Sequence, residues 1–84
     1  MKCHYIFGIR INHRHANAAL LQDALTSFGC RIRMRLGLHE TDENSCADDG
    51  VILLQVCGDE SVVESMMAVL SALEGVTVKV MDLN

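Results

Sequence analysis

Two hydrophobic rhythms succeed one another along the 84 residues of this chain. From Cys3 to Ile11, CHYIFGIRI, aromatic and β-branched side chains crowd together and read as a β-strand. A helical spacing follows. Asn12 is placed to cap it, Leu21, Leu25 and Phe28 fall on one face with Leu20 and Ala24 beside them, and Gly29 is expected at its left-handed C-terminus. The stretch CRIRMRLG then alternates residue by residue: Cys30, Ile32, Met34 and Leu36 are expected on one side of a strand, and Arg31, Arg33 and Arg35 on the other.

His39 to Gly50, HETDENSCADDG, carries five acidic residues and little that is apolar, so a long mobile connection is expected there. GVILLQVCG returns as a strand, and its near-continuous apolar run suits a central position covered on much of both faces. Asp59 is placed to cap a second helix with Glu60 in its first turn, and Val62, Met66, Val69, Leu70 and Leu73 form an apolar stripe that ends at Gly75. Val76 to Met81 closes the chain as a strand with Val76, Val78 and Val80 on one side and Thr77 and Lys79 on the other.

The order is βαββαβ in a single domain, residues 1–84, without a linker or a proline to interrupt it. Such an α+β chain most economically makes a four-stranded antiparallel sheet with both helices on one face, the ferredoxin-like arrangement. One sheet face is then open. Counting in twos assigns to it His4, Ile6, Gly8 and Arg10, then Arg31, Arg33 and Arg35, then Val51, Leu53 and Gln55, then Thr77 and Lys79. Five of the seven basic residues would share that surface although the net charge is −4. An apolar strip of Ile6, Val51 and Leu53 bordered by Arg31 and its neighbours suits an interface, so a homo-oligomer, dimer or tetramer, is expected. The same arginines could take an acidic protein partner or a small anionic ligand, since guanidinium forks bind carboxylate and phosphate.

Composition narrows the classes. Half of the residues are apolar, yet there is no Trp, one Tyr and two Phe, so the core must be aliphatic. No apolar run is long enough to span a membrane and no signal peptide is recognisable, so no membrane association and a cytoplasmic location are expected. The four cysteines, Cys3, Cys30, Cys46 and Cys57, form no CxxC pair and are expected as reduced thiols, the three in strand-like runs as small buried hydrophobes.

Candidate chemistry is sparse, and no enzymatic activity or cofactor is expected. No nucleophile turn and no phosphate-cradling glycine loop occur. His13 and His15 could offer two imidazoles to a metal, but HxH without a third ligand nearby is more often a pair of exposed polar residues. The 39–50 segment could offer His39, Cys46 and several carboxylates, but its spacing is not that of a calcium hand. A sheet with two helices is also an RNA-recognition architecture, yet the expected open face carries no stacking aromatic and the chain is acidic, which weighs against nucleic acid.

GIRINHR, FGCRIRMRLGLHE, DDGVILLQVCGDE and LEGVTVKVM together span nearly the whole chain. In these motifs the sequence resembles the small regulators of iron-only hydrogenase systems, which have an ACT-like, ferredoxin-like fold. More broadly it is similar to the C-terminal domain of nickel-responsive repressors. The resemblance implies a homo-oligomeric, non-catalytic regulatory module that binds a small effector at interfaces between chains. It places that effector at the exit of the first strand, on Arg10, Asn12 and His13, and across the sheet on Arg33 and Arg35. Any control of transcription is then expected to pass through another protein.

Overall fold

The computed structural model describes residues 1–12, 16–41 and 46–84, with side chains for all of these except residues 38–41 and 46–49. Its elements run β1 (Lys2–Asn12), α1 (Ala18–Ser27), a 3-10 turn (Gly29–Arg31), β2 (Ile32–Thr41), β3 (Cys46–Gly58), α2 (Glu60–Ser71) and β4 (Val76–Asp82). The four strands form one antiparallel sheet in the order β2-β3-β1-β4. This is the ferredoxin-like βαββαβ architecture, with the two halves interleaved so that β1 and β3 lie at the centre.

Strict alternation along β1 decides where the core lies. Tyr5, Phe7, Ile9 and Ile11 are buried, and across the ladder they meet Ile52, Leu54 and Val56 of β3 and Val78 of β4. Leu21, Ala24 and Leu25 of α1 and Val63, Met66 and Leu70 of α2 complete the same cluster, so both helices cover one sheet face. Burying six aliphatic helix side chains at about 1.5–3 kcal/mol each for the larger ones is the main force holding this layer to the sheet.

The helix ends differ from the sequence expectation at α1. Asn12 is the last residue of β1, and the cap is Asn17, whose Oδ1 accepts from the N–H groups of Ala19 at 3.0 Å and Leu20 at 3.2 Å. Strand pairing explains the shift, because Asn12 still pairs with Asp49 and its N–H is taken by the carbonyl of Gly75 at 2.8 Å. Gly29 does not adopt a left-handed conformation; it opens the 3-10 turn. Asp59 caps α2 as the sequence indicates. Gly75, at φ 75°, is where the chain turns into β4, a conformation that glycine adopts without steric cost.

The acidic segment also departs from expectation. Pairing of β2 with β3 continues through His39↔Gly50 to Thr41↔Cys46, so most of residues 39–50 is strand and not a long loop. Ladder hydrogen bonds to a neighbouring strand override the weak strand preference of Asp and Glu.

Two cysteines are not reduced thiols. Cys3 and Cys57 form a disulfide across the β1–β3 pair. Antiparallel pairing brings the start of β1 to the end of β3, and this meeting is set by topology, with nothing in the local spacing to announce it. Cys30, expected inside a strand, is instead exposed and free in the 3-10 turn. The side chain of Cys46 lies outside the described part of the molecule.

Candidate functional site

The open face is a grid of rows read from the pairing register. One row runs Met34, Gln55, Ile6, Met81; the next runs Leu36, Leu53, Gly8, Lys79; a third places Val51, Arg10 and Thr77 side by side. Met34, Leu36 and Met81 are 42%, 47% and 53% exposed, and Ile6, Val51 and Leu53 between them are half-buried. Six apolar side chains thus form a layer that neither α1 nor α2 covers. Gly8 lies in its middle, and a Cβ there would meet only Leu53 Cδ2 at 3.9 Å, so the position is a dimple and not a packed contact.

Arg31 and Arg35 are not part of this face. Arg31 lies in the 3-10 turn. Between Ile32↔Val56 and Met34↔Gln55 the register shifts, with β2 using two steps where β3 uses one, and Arg33 falls at that irregularity. A one-residue slip exchanges the two faces of every residue beyond it. Arg35 therefore pairs with Leu54, a core residue, and its Nη2 donates to Oε1 of Gln22 on α1 at 3.0 Å. Met34 and Leu36, expected inward, take the open side. Of the five basic residues expected together, the grid keeps Arg10 and Lys79.

A polar recess of about 240 Å³ adjoins one end of the open face, lined by Arg10, Asn12, Gly75, Val76 and Thr77. The exit of β1 meets the entry of β4 here, stitched by the bond from Asn12 N–H to Gly75. Arg10 and Asn12 each take part in interactions of their own within the fold. Arg33 and Arg35 sit on β2, at the far edge of the sheet with β3 and β1 intervening, so one subunit does not bring them to this recess. His13 and His15 lie outside the described residues. Among the described residues no group of three or more His, Cys, Asp or Glu is arranged to hold a metal ion.

Arg31 lines a second recess, about 230 Å³, with Ser27, Cys30, Ser61 and Ser65 between the end of α1 and the start of α2. The Asp59 carboxyl beside it is held below the usual carboxylate range. Its main cause is the Ser61 hydroxyl, which donates at 2.6 Å; the Val62 N–H at 3.1 Å adds to it, and the charge of Arg31 is a smaller contribution.

The aromatic inventory bears on nucleic acid. Tyr5 and Phe7 point into the core and Phe28 packs against it, so none of the chain's aromatic side chains reaches the open face. Base stacking on that face has no platform. Among the described residues no helix is long and apolar enough to cross a membrane.

Neither a family profile nor a curated protein sequence matches the chain. Among solved structures it is similar to an uncharacterized protein from Thermotoga maritima, with a TM-score of 0.82 and 24% identity over 95% of each chain. That likeness extends over the entire βαββαβ unit and concerns its fold.

Proposed function

We propose that this chain is a small, non-catalytic regulatory module that works as a homo-oligomer, a dimer or tetramer built by docking the open sheet faces of two copies. A small anionic effector is taken up beside Arg10 and Asn12. The supporting observation is the uncovered layer of Met34, Leu36, Ile6, Leu53, Val51 and Met81. Apolar side chains ringed by Gln55, Arg10, Thr77 and Lys79 have the composition of an interface core with its polar rim. A chain of this size buries barely enough surface for stability alone, so covering that layer with a second copy reinforces the fold as well as the assembly.

Arg10 belongs to both features: it lies in the third row of the grid and lines the polar recess. A ligand held there stabilises whichever assembly completes its contacts, and the response is limited by the difference in its affinity for the two states. The resemblance to regulators of iron-only hydrogenase systems extends this reading to a cytoplasmic role in such a system, through another protein. An adaptor for an acidic partner is the second reading, and the departure of Arg31 and Arg35 from the open face thins the basic surface that would have favoured it.

Native mass measured during titration with amino acids, nucleotides and nickel or iron ions tests the proposal. A dimer or tetramer whose mass distribution shifts with an anionic ligand, and no longer shifts in Arg10→Ser, supports it. A monomer at micromolar concentration overturns it, and a dimer indifferent to every ligand leaves a plain dimerisation module.

A further inference from the structure

We infer that the Cys3–Cys57 disulfide is a reversible redox clasp on the junction where the two ends of the described chain meet. The pair links adjacent strands of one sheet across a sequence separation of 54 residues. It sits at an irregularity of the β1–β3 ladder, because Lys2 pairs with Gly58 and Tyr5 with Val56, leaving Cys3 and His4 together opposite Cys57. Neither residue can therefore rely on regular ladder hydrogen bonds at this point. What holds the bulge instead is a set of separate contacts: Gln55 Nε2 donates to the Cys3 carbonyl at 2.8 Å, Leu83 N–H to the His4 carbonyl at 2.9 Å, and His4 N–H to Asn84 Oδ1 at 3.0 Å. The disulfide is the covalent member of this set. Opening it leaves these three hydrogen bonds, of which only the Leu83–His4 one joins backbone to backbone, beside the flanking ladder pairs of Lys2 and Tyr5 to keep β1's start and the final residues in place.

Exposure gives the chemistry a direction. Cys57 is 8% exposed, whereas Cys3 is half-buried near the start of β1, between the exposed Lys2 and His4. A dithiol reductant supplies both electrons. Its first thiolate bonds to the Cys3 sulfur, the Cys3–Cys57 bond breaks, and Cys57 leaves as a thiolate that takes a proton. The second reductant thiolate then attacks the reductant sulfur of the mixed disulfide and releases Cys3 as a thiolate, with the reductant departing as its own disulfide. Oxidation runs the same two exchanges backwards, with a disulfide as the acceptor. In a reducing compartment a pair of this kind is transient and signals, whereas a permanently oxidised one only staples. Gln55 sits in the first row of the open face beside Ile6, so the clasp borders the docking layer, yet the inference stands without it.

The test uses the full chain equilibrated in graded ratios of reduced to oxidised dithiothreitol, quenched by alkylation and mapped by peptide mass spectrometry. The Cys3–Cys57 cross-linked peptide should dominate at the oxidising end and disappear at the reducing end, reversibly. Hydrogen exchange should then be at least about tenfold faster at residues 3–6 and 82–84 in the reduced protein, with residues 62–70 of α2 unchanged. Cys57→Ser should exchange at the fast rate in both buffers, and Cys3→Ser provides the same comparison should that variant fold poorly. Absence of the cross-linked peptide at every ratio overturns the inference, as does a bond that no excess of reductant opens. Equal exchange in the two states overturns it too, since the pair would then hold nothing.

Discussion

Arg35 reaches across from the edge strand β2 to Gln22 on α1, its Nη2 donating to Oε1 at 3.0 Å, and so lies against the helix layer and not on the open sheet face. The alternation of CRIRMRLG has the opposite implication. One extra residue in β2 relative to β3 reverses the expected sides from Met34 onward, sending Met34 and Leu36 outward and Arg35 inward. An edge position makes this tolerable, because the guanidinium can leave the sheet along α1 while its aliphatic stem covers apolar surface. Since the bond is solvent-exposed, Arg35→Ala should cost no more than about 0.5 kcal/mol in thermal or chemical unfolding and leave the oligomer intact. Dissociation of the oligomer in this variant would return Arg35 to the interface.

Gly58 is required for a different reason. A Cβ built there falls 2.9 Å from Val62 Cβ and 3.0 Å from its Cγ1, on the first turn of α2, where neither backbone nor a branched side chain can easily withdraw. Gly58→Ala should destabilise the protein by about 1–3 kcal/mol through overpacking, and Val62→Ala in the same chain should recover part of that loss. Urea denaturation of the single and double variants measures the coupling; strictly additive costs would deny the contact.

Tyr5 carries the one buried side-chain polar atom without a hydrogen-bond partner among the described residues, a hydroxyl enclosed in a residue only 3% exposed. Burying that group unpaired carries a desolvation penalty that phenylalanine would not incur. Tyr5→Phe should leave stability unchanged or raise it by up to about 1 kcal/mol. A clear loss in the melting temperature of this variant would mean that the hydroxyl has a partner in solution.

The strands, helices and topology are legible because each rests on a local rhythm that the core then uses without change: Tyr5, Phe7, Ile9 and Ile11 at period two, Met66 and Leu70 at helical spacing. The same rhythm identifies Ile6, Val51 and Leu53 as outward. It fails where a long-range contact decides. Nothing in the order of residues 30–36 signals an added residue in β2, since that shift is defined only against β3. The Cys3–Cys57 pair is only half legible: an antiparallel β1–β3 pair brings the start of β1 near the end of β3, but the regular register would set Cys3 opposite Gly58, and the irregularity between Lys2 and Tyr5 is what brings Cys3 to Cys57. Reading each cysteine by its own neighbours hides that relation. The Arg10 and Asn12 recess stands between these cases: the exit of β1 is foreseeable, but its wall of Gly75, Val76 and Thr77 requires the β4 register.

Acid sensitivity should trace to two carboxylates at chain turns. Asp59 is held below its ordinary value of 3.8 mainly by the Ser61 hydroxyl, and Asp82 below 3.8 mainly by the Asn84 N–H, which donates at 2.9 Å. A folded-state pKa under the unfolded one means that the unfolded chain takes up the proton first, so stability from both groups is present above 3.8 and is lost as pH falls through the lowered values. Melting temperatures recorded below about pH 5 should fall less steeply in the Asp59→Asn, Asp82→Asn double variant than in the parent. Parallel curves would assign acid unfolding to other groups.

Leu36 and Leu53 face each other across the β2–β3 ladder in the row that contains Gly8, which makes them the sharpest probe of the docking layer. Leu36 is 47% exposed in the isolated chain, so replacing it by Glu removes little from the core, and the cost to the monomer should stay within about 1 kcal/mol. Within a docked pair the same carboxylate would be desolvated against an apolar layer and, by two-fold symmetry, would meet its own copy or its neighbours without a basic partner in that row except Lys79 at the far end. The dissociation constant measured by analytical ultracentrifugation should therefore rise by at least about a hundredfold, equivalent to about 2.7 kcal/mol of association energy. Leu53→Asp, one strand nearer the centre, should act in the same direction, whereas Glu64→Gln on the helix side should leave association unchanged. If Leu36→Glu and Leu53→Asp associate as tightly as the parent, the open face is not where the copies meet.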